Sequence, residues 1–243
     1  MTTLIVNADD FGYSEAVNYG IVSAFEKGIV RSTTMMANMP AAQHGATLLK
    51  QHPGLGCGIH LTLSCYRPVL KTHRTIVDEN GDFYRRITSE VAASFDLEEI
   101  YEEFCAQIEK AKSLGVEITH LDSHHHVHTM VELKPVIEKL LEKYPYPIRG
   151  GFTYSLNYDR IIPLIDTFYQ DAVTEDYFQT HQAEILKYEI VDLMSHPAYI
   201  DQFLLDSTSY AVNRAKEHHI LTSTKVKEDL EKLNIQLGNY KKV

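Results

Sequence analysis

The segment DSHHHVH at positions 122–128 concentrates the ligating side chains of this chain. With His120 it places five of the 13 histidines within nine residues. Imidazole is the commonest side-chain ligand for transition metals. The tract follows an apolar-polar alternation through Val116, Ile118, His120 and Leu121, the pattern of a strand that opens into a site. Two other segments have the same form: LIVNADDFG at 4–12 and GLGCGIHLTL at 54–63. Three strands that end in Asp, His and His point to one metal held at one face of a sheet or barrel.

Each candidate has a specific chemical use. Asp9 and Asp10 are adjacent carboxylates at a strand end. Neighbouring side chains of a strand point to opposite faces, but at a strand-loop junction both can line a mouth, one on a metal and one taking a proton. His60 alone would read as a hydrogen-bonded core histidine; its company makes it a ligand candidate. Gly58 beside it suggests close approach by another group. Strand-like alternation would set His124, His126 and His128 on one side and His125 and Val127 on the other. Three protein ligands are usual for catalytic zinc, so the tract is expected to give one ligand and to use its other rings on neighbours or substrate. His196, in LMSHP after a predicted strand, can serve as a general acid near neutral pH. Arg149, before Gly150 and Gly151, is a candidate for binding substrate.

The elements that must position these residues alternate between strand and helix. Strands are expected at 4–8, 32–37, 55–63, 116–121, 148–152, 189–194 and 219–221. Helices are expected at 15–27 (capped by Ser14 and ended by Gly28), 41–51, 97–114 (capped by Asp96), 131–143, 182–186, 205–215 and in the charged tail from Lys225. Residues 64–94 have no clear period and are assigned to a substrate-side loop, since long loops in compact domains usually serve function. The alternation favours a parallel α/β architecture, and about seven strands favour a distorted (β/α) barrel, TIM-like, in a single domain over 1–243. Sites in such barrels lie at the C-terminal ends of the strands, where the Asp and His residues fall.

Composition narrows the partners. The 243 residues carry 33 acidic and 23 basic side chains, a formal charge of -10. That disfavours nucleic acid and anionic membrane as partners, since both need a basic face. Three cysteines without paired spacing fit a reducing compartment. The N-terminus lacks the features of a signal peptide and no apolar run approaches the ~20 residues of a membrane span, so a cytoplasmic location is expected. No nucleotide-binding glycine motif and no GxSxG elbow occur.

NADDFG, GIHLTL, THLDSHHHVH and MSHPAY, with NYGI at 18–21 and GIVRSTT at 28–34, together resemble the YdjC-type carbohydrate deacetylases, which include the chitooligosaccharide deacetylases. The resemblance has the right order and spacing over residues 4–200. It implies a distorted (β/α) barrel, one divalent metal (magnesium or zinc) and hydrolysis of the N-acetyl group of an acetylglucosamine-containing oligosaccharide. Carried over by motif, Asp10, His60 and His124 would be the metal ligands, Asp9 the general base and His196 the general acid. The sugar length and any 6-phosphate are left open by the variable stretch 66–94, and the family precedent leaves a homodimer open. The rival readings are a phospho-disaccharide or other glycoside hydrolase using Asp9 with Asp122, a metal-dependent phosphoesterase on the same barrel, and a non-catalytic sugar- or metal-binding protein.

Overall fold

The computed structural model describes residues 1–242. The order of elements is β1 (Thr3–Phe11), α1 (Glu15–Lys27), β2 (Ser32–Met35), α2 (Ala42–Gln51), β3 (Gly56–Leu61), α3 (Ser89–Ala92), α4 (Leu97–Ser113), β4 (Ile118–Ser123), α5 (Lys134–Lys143), β5 (Ile148–Arg149), β6 (Ile161–Ile162), β7 (Leu164–Ile165), α6 (Tyr177–Thr180), α7 (Gln182–Ile185), β8 (Ile190–Ser195), α8 (Gln202–Ser207), α9 (Val212–Leu221), α10 (Thr224–Lys232) and β9 (Gln236–Leu237). The sheet runs β6-β5-β4-β3-β2-β1-β8-β7, with every named pairing parallel. Its two ends, β6 and β7, are separated only by Pro163. One extended stretch, 161–165, therefore pairs with β5 by its first half and with β8 by its second, and so nearly closes the barrel. β9 lies along the start of β1.

The alternation of β1 decides what faces where. Leu4, Val6 and Ala8 pack outward into the main apolar core under the helices. Ile5, Asn7 and Asp9 are the other face and point into the barrel. That interior is polar: Asn7, Asp9, His60, His120, Asp122, Arg149 and Asp192 are all buried. Around it, Ser14 Oγ caps α1 by accepting from Val17 N, and Asp96 caps α4 by accepting from Glu98 N. The long stretch before α4 is anchored by α4 itself. Buried Glu103 accepts from the amides of Val69 and Leu70, and Glu99 from those of Arg74 and Thr75. Among the described residues no helix is long and apolar enough to cross a membrane.

Several expected boundaries differ. Residues 219–221 are the end of helix α9, not a strand; its buried residues Arg214, Glu217, Ile220 and Leu221 have helical spacing, which a three-residue window cannot reveal. The helix expected at 205–215 is two helices, α8 and α9, broken at 208–211. The strand expected at 116–121 begins at Ile118 and runs to Ser123, and the one at 148–152 ends at Arg149. β6, β7 and β9, two residues each, are too short to have a period. Gly28 ends α1 without a left-handed turn; a Cβ there would stand 2.3 Å from Leu221 O, so close contact with α9 is what demands glycine. Gly58 has a similar cause. Its Cβ would lie 2.5 Å from the His120 ring and 2.7 Å from the His120 carbonyl. Gly58→Ala is expected to cost about 1–3 kcal/mol by overpacking, read as a lower urea midpoint; an unchanged midpoint would show that the barrel relaxes freely there.

Candidate active and metal site

Two backbone irregularities bring the chemistry together. The β1-β2 register shifts between Ala8 and Phe11, and Asp10 takes a left-handed φ of 69°. The bulge turns Asp10 to the same mouth as Asp9, where a regular strand would send it to the opposite face. The second irregularity is in the histidine tract. His125 and His126 have φ of 54° and 53°, so the chain curls instead of extending. His124, His125 and His126 consequently all line the cavity, while His128 turns away to Ser123 and the carbonyl of Arg149. The alternating arrangement expected for 124–128 is therefore replaced by a tight turn.

Asp10, His60 and His124 converge. His60 Nε2 and His124 Nδ1 each stand 3.2 Å from Asp10 Oδ1. The three donor atoms lie within 4.8 Å of one another. Asp10 Oδ2 accepts from Arg214 Nη2 at 2.6 Å. Burial alone would raise the Asp10 carboxyl, but Arg214 and His124 outweigh it and hold it well below the usual carboxylate range. His60 has its second nitrogen occupied: Nδ1 meets Asp122 Oδ1 at 2.8 Å. Burial disfavours a charged His60, yet Asp122 and Asp10 outweigh it and push the ring up to about 10, so an ion bound at Nε2 would have to displace the proton held there. Burial lowers His124 and takes His125 to about 3 and His126 to about 4, so these rings are neutral near pH 7, the form that ligates metals.

Asp9 belongs to a different cluster. Arg149 grips it with both nitrogens, Nη1 to Oδ2 at 2.7 Å and Nη2 to Oδ1 at 2.8 Å. Asn7 Nδ2 donates to Asp9 Oδ1 at 2.8 Å. The same guanidinium contacts Asp122 at 2.9 Å and Asp192 at 2.7 Å. Burial opposes ionisation of Asp9, and Arg149 outweighs it, so the group titrates below its ordinary range. For Asp192 burial wins over Arg149, and the carboxyl rises to about 6. The expectation that Arg149 binds substrate is corrected here. It is fully buried, does not line the cavity and spends its donors on three carboxylates. The pairing of Asp9 with Asp122 across a glycosidic bond also fails: Asp122 is shut beneath the cavity, and both groups share Arg149.

His196 follows β8, beside β1, with its ring edge-on against the stacked pair Tyr169 and Tyr210 on the cavity wall. Its backbone N–H donates to Glu217, whose other oxygen stands 3.8 Å from Nδ1 and accepts from Tyr210. The cavity has a volume of about 780 Å³, within the range of small-molecule sites. Asp9, Asp10, His60, His124 and His196 line it together, with Tyr66, Phe83 and Arg85 contributed by the 64–94 stretch. Sequence reasoning missed Arg214, Glu217 and Asp192, which carry no motif of their own. It quoted Asp122 within DSHHHVH but gave it no part in orienting His60.

A family model described as YdjC-like protein matches residues 3–232. The chain belongs to the YdjC-like family. This YdjC-like protein is 44% identical over 241 residues to a carbohydrate deacetylase of Geobacillus stearothermophilus, covering 98% of this chain and 96% of that one. It is 37% identical over 238 residues to a carbohydrate deacetylase of Vibrio campbellii, covering 98% and 94%. Among solved structures it superposes with a TM-score of 0.90 and 33% identity on an Enterococcus faecalis V583 protein named provisionally for cellobiose-phosphate cleavage, covering 99% and 98%. A family 4 carbohydrate esterase of Streptomyces lividans, solved in complex with acetate, shares the fold alone, with a TM-score of 0.51, 10% identity and coverage of 98% and 92%.

Arg149→Met in this YdjC-like protein would leave three buried carboxylates without their cation. Removing one partner of such a cluster costs about 3–5 kcal/mol, expected as a loss of that size in urea unfolding. A variant as stable as the native protein would mean that the carboxylates do not need the charge.

Proposed function

We propose that the protein is a carbohydrate deacetylase that removes the N-acetyl group of a short acetylglucosamine-containing oligosaccharide, chitobiose or a chitooligosaccharide with or without a 6-phosphate. One observation carries the reading: Asp10, His60 and His124 converge on one point of a cavity whose wall also presents Asp9 and His196. The curated relatives named carbohydrate deacetylase support the same activity.

The donor set fits a divalent ion, zinc or magnesium. One carboxylate and two imidazoles are a usual catalytic zinc set. Asp122 on the far nitrogen of His60 is the outer partner that metal-bound histidines ordinarily have. An ion held there supplies Lewis acidity toward the amide carbonyl and the attacking water.

The remaining work falls to the side chains. Asp9, ionised and fixed by Arg149 and Asn7, takes a proton from the attacking water. The water oxygen bonds to the carbonyl carbon. His196 gives a proton to the sugar nitrogen as the carbon-nitrogen bond breaks, because an unprotonated amine is a poor leaving group. Acetate and a free amino sugar are the products. The aromatic rings of Tyr66, Phe83, Tyr169 and Phe203 give the cavity apolar faces on which sugar rings can pack.

The test is acetate release from di-N-acetylchitobiose and from its 6-phosphate, with EDTA and after zinc or magnesium is restored. Acetate that disappears with EDTA and returns with the ion is expected. No acetate from either sugar by the metal-loaded protein would overturn the proposed substrate. Asp9→Asn is expected to bind the ion with native stoichiometry and to lose activity by about 10²–10⁴-fold, the range of general acid-base catalysis. Retained turnover would remove Asp9 from the base role. His60→Ala and His124→Ala are expected to lose ion and activity together, measured by metal analysis of the purified variants.

A further inference from the structure

The bottom of the barrel is closed by the chain's own C-terminal segment, which lies beyond the 3–232 span of the family match. β9 runs parallel to the start of β1, with Gln236 N donating to Thr2 O at 2.9 Å and Gly238 N to Leu4 O at 3.0 Å. Just after it, Tyr240 turns into the barrel and is buried there with Ile5 and Ile162. Its ring stacks on His120 with centroids 3.6 Å apart and the planes nearly parallel. Its hydroxyl donates to Asp192 Oδ2 at 2.6 Å.

That oxygen also accepts from Arg149 Nε at 2.7 Å. The opposite end of the same guanidinium holds Asp9 through two bonds. The tail is thus joined to the carboxylate at the cavity by three consecutive links, Tyr240 to Asp192, Asp192 to Arg149 and Arg149 to Asp9, all out of water. The other Asp192 oxygen, Oδ1, is buried without a hydrogen-bond partner among the described residues. With the Tyr240 hydroxyl gone, the Asp192 carboxylate would keep only Arg149 as a donor, and could turn and draw the guanidinium with it. Burial and the adjacent Asp192 hold the Tyr240 phenol far above its ordinary pKa, so it remains a donor.

We infer that Tyr240 is a positioning residue for the reaction: it fixes Asp192, which sets the orientation in which Arg149 presents Asp9 to the cavity. The inference rests on the reading of Asp9 as general base. It assigns a task to a residue on the opposite side of the barrel from the cavity and outside every motif in the sequence.

The test is the full-length Tyr240→Phe variant, which keeps the ring on His120 and removes only the hydroxyl. The expected result is a kcat lowered about tenfold, the scale on which small displacements of a catalytic group act. KM is expected to stay within about twofold and the bound ion at native stoichiometry, because neither the cavity wall nor the ligand set changes. Adding Asp192→Asn to Tyr240→Phe should lower kcat no further than Asp192→Asn alone, since both cut one path. A purely structural tyrosine would shift the unfolding midpoint and leave kcat per folded molecule native. Asp9→Asn is assayed alongside. A native kcat in Tyr240→Phe with Asp9→Asn inactive overturns the role of Tyr240 and leaves Asp9 in place; an active Asp9→Asn overturns both readings. If Tyr240→Phe fails to fold, Asp192→Asn carries the test, with the same fall expected and a native kcat contradicting it.

Discussion

The fold turns on a guanidinium placed where water cannot reach it. Most (β/α) barrels fill their interior with branched aliphatic side chains. Here Arg149 occupies that space and binds Asp9 from β1, Asp122 from β4 and Asp192 from β8. Removing so many charges from water is expensive, and a packed aliphatic core would often be as stable. The arrangement makes sense as a means of orientation. One planar cation with a fixed fork of donors sets three carboxylates on three strands in register. Asp9 is thereby presented ionised at the top, and Asp122 is left to hold His60.

Above this charged layer the backbone departs from regular geometry at a few sites, and several of these hold ligand candidates or their neighbours. Asp10, His125 and His126 adopt left-handed conformations that non-glycine residues rarely take. Such strain persists only where the surroundings over-determine it. Here the paired strands beneath, the grip of Arg214 on Asp10 and the bond from Ser64 to His125 do so. The result is a mouth where two adjacent aspartates and three adjacent histidines face one cavity, which neither a straight strand nor a regular helix would permit.

How far the sequence could reveal this follows from the same physics. The long elements are legible because their burial has a period: the sequence pattern carries the α1 and α4 caps at Ser14 and Asp96, and with them the parallel barrel class. That an aspartate of NADD, His60 and one histidine of the 124–128 tract belong together is legible because strand ends in a parallel barrel share one face; the choice of Asp10 and His124 among them comes only with the family resemblance. The two-residue strands β6, β7 and β9 could not be seen, since closure depends on partners far away in the chain. Arg149 was legible as a functional residue but not in its role: nothing in IRGG says whether an arginine faces solvent or three buried carboxylates. Arg214 and Tyr240 depend entirely on tertiary placement, one reaching Asp10 from α9 and the other Asp192 from the tail.

The most direct test of this division of labour between Asp10 and Asp9 is a crystal structure of the native protein with zinc and acetate, the ion located by anomalous diffraction. The account predicts one ion on Asp10, His60 and His124, with Asp9 off the ion and still in the grip of Arg149. The barrel also holds a second donor cluster, Asp9, His60 and Asp122. An ion found there, with Arg149 displaced, would contradict the account at its centre.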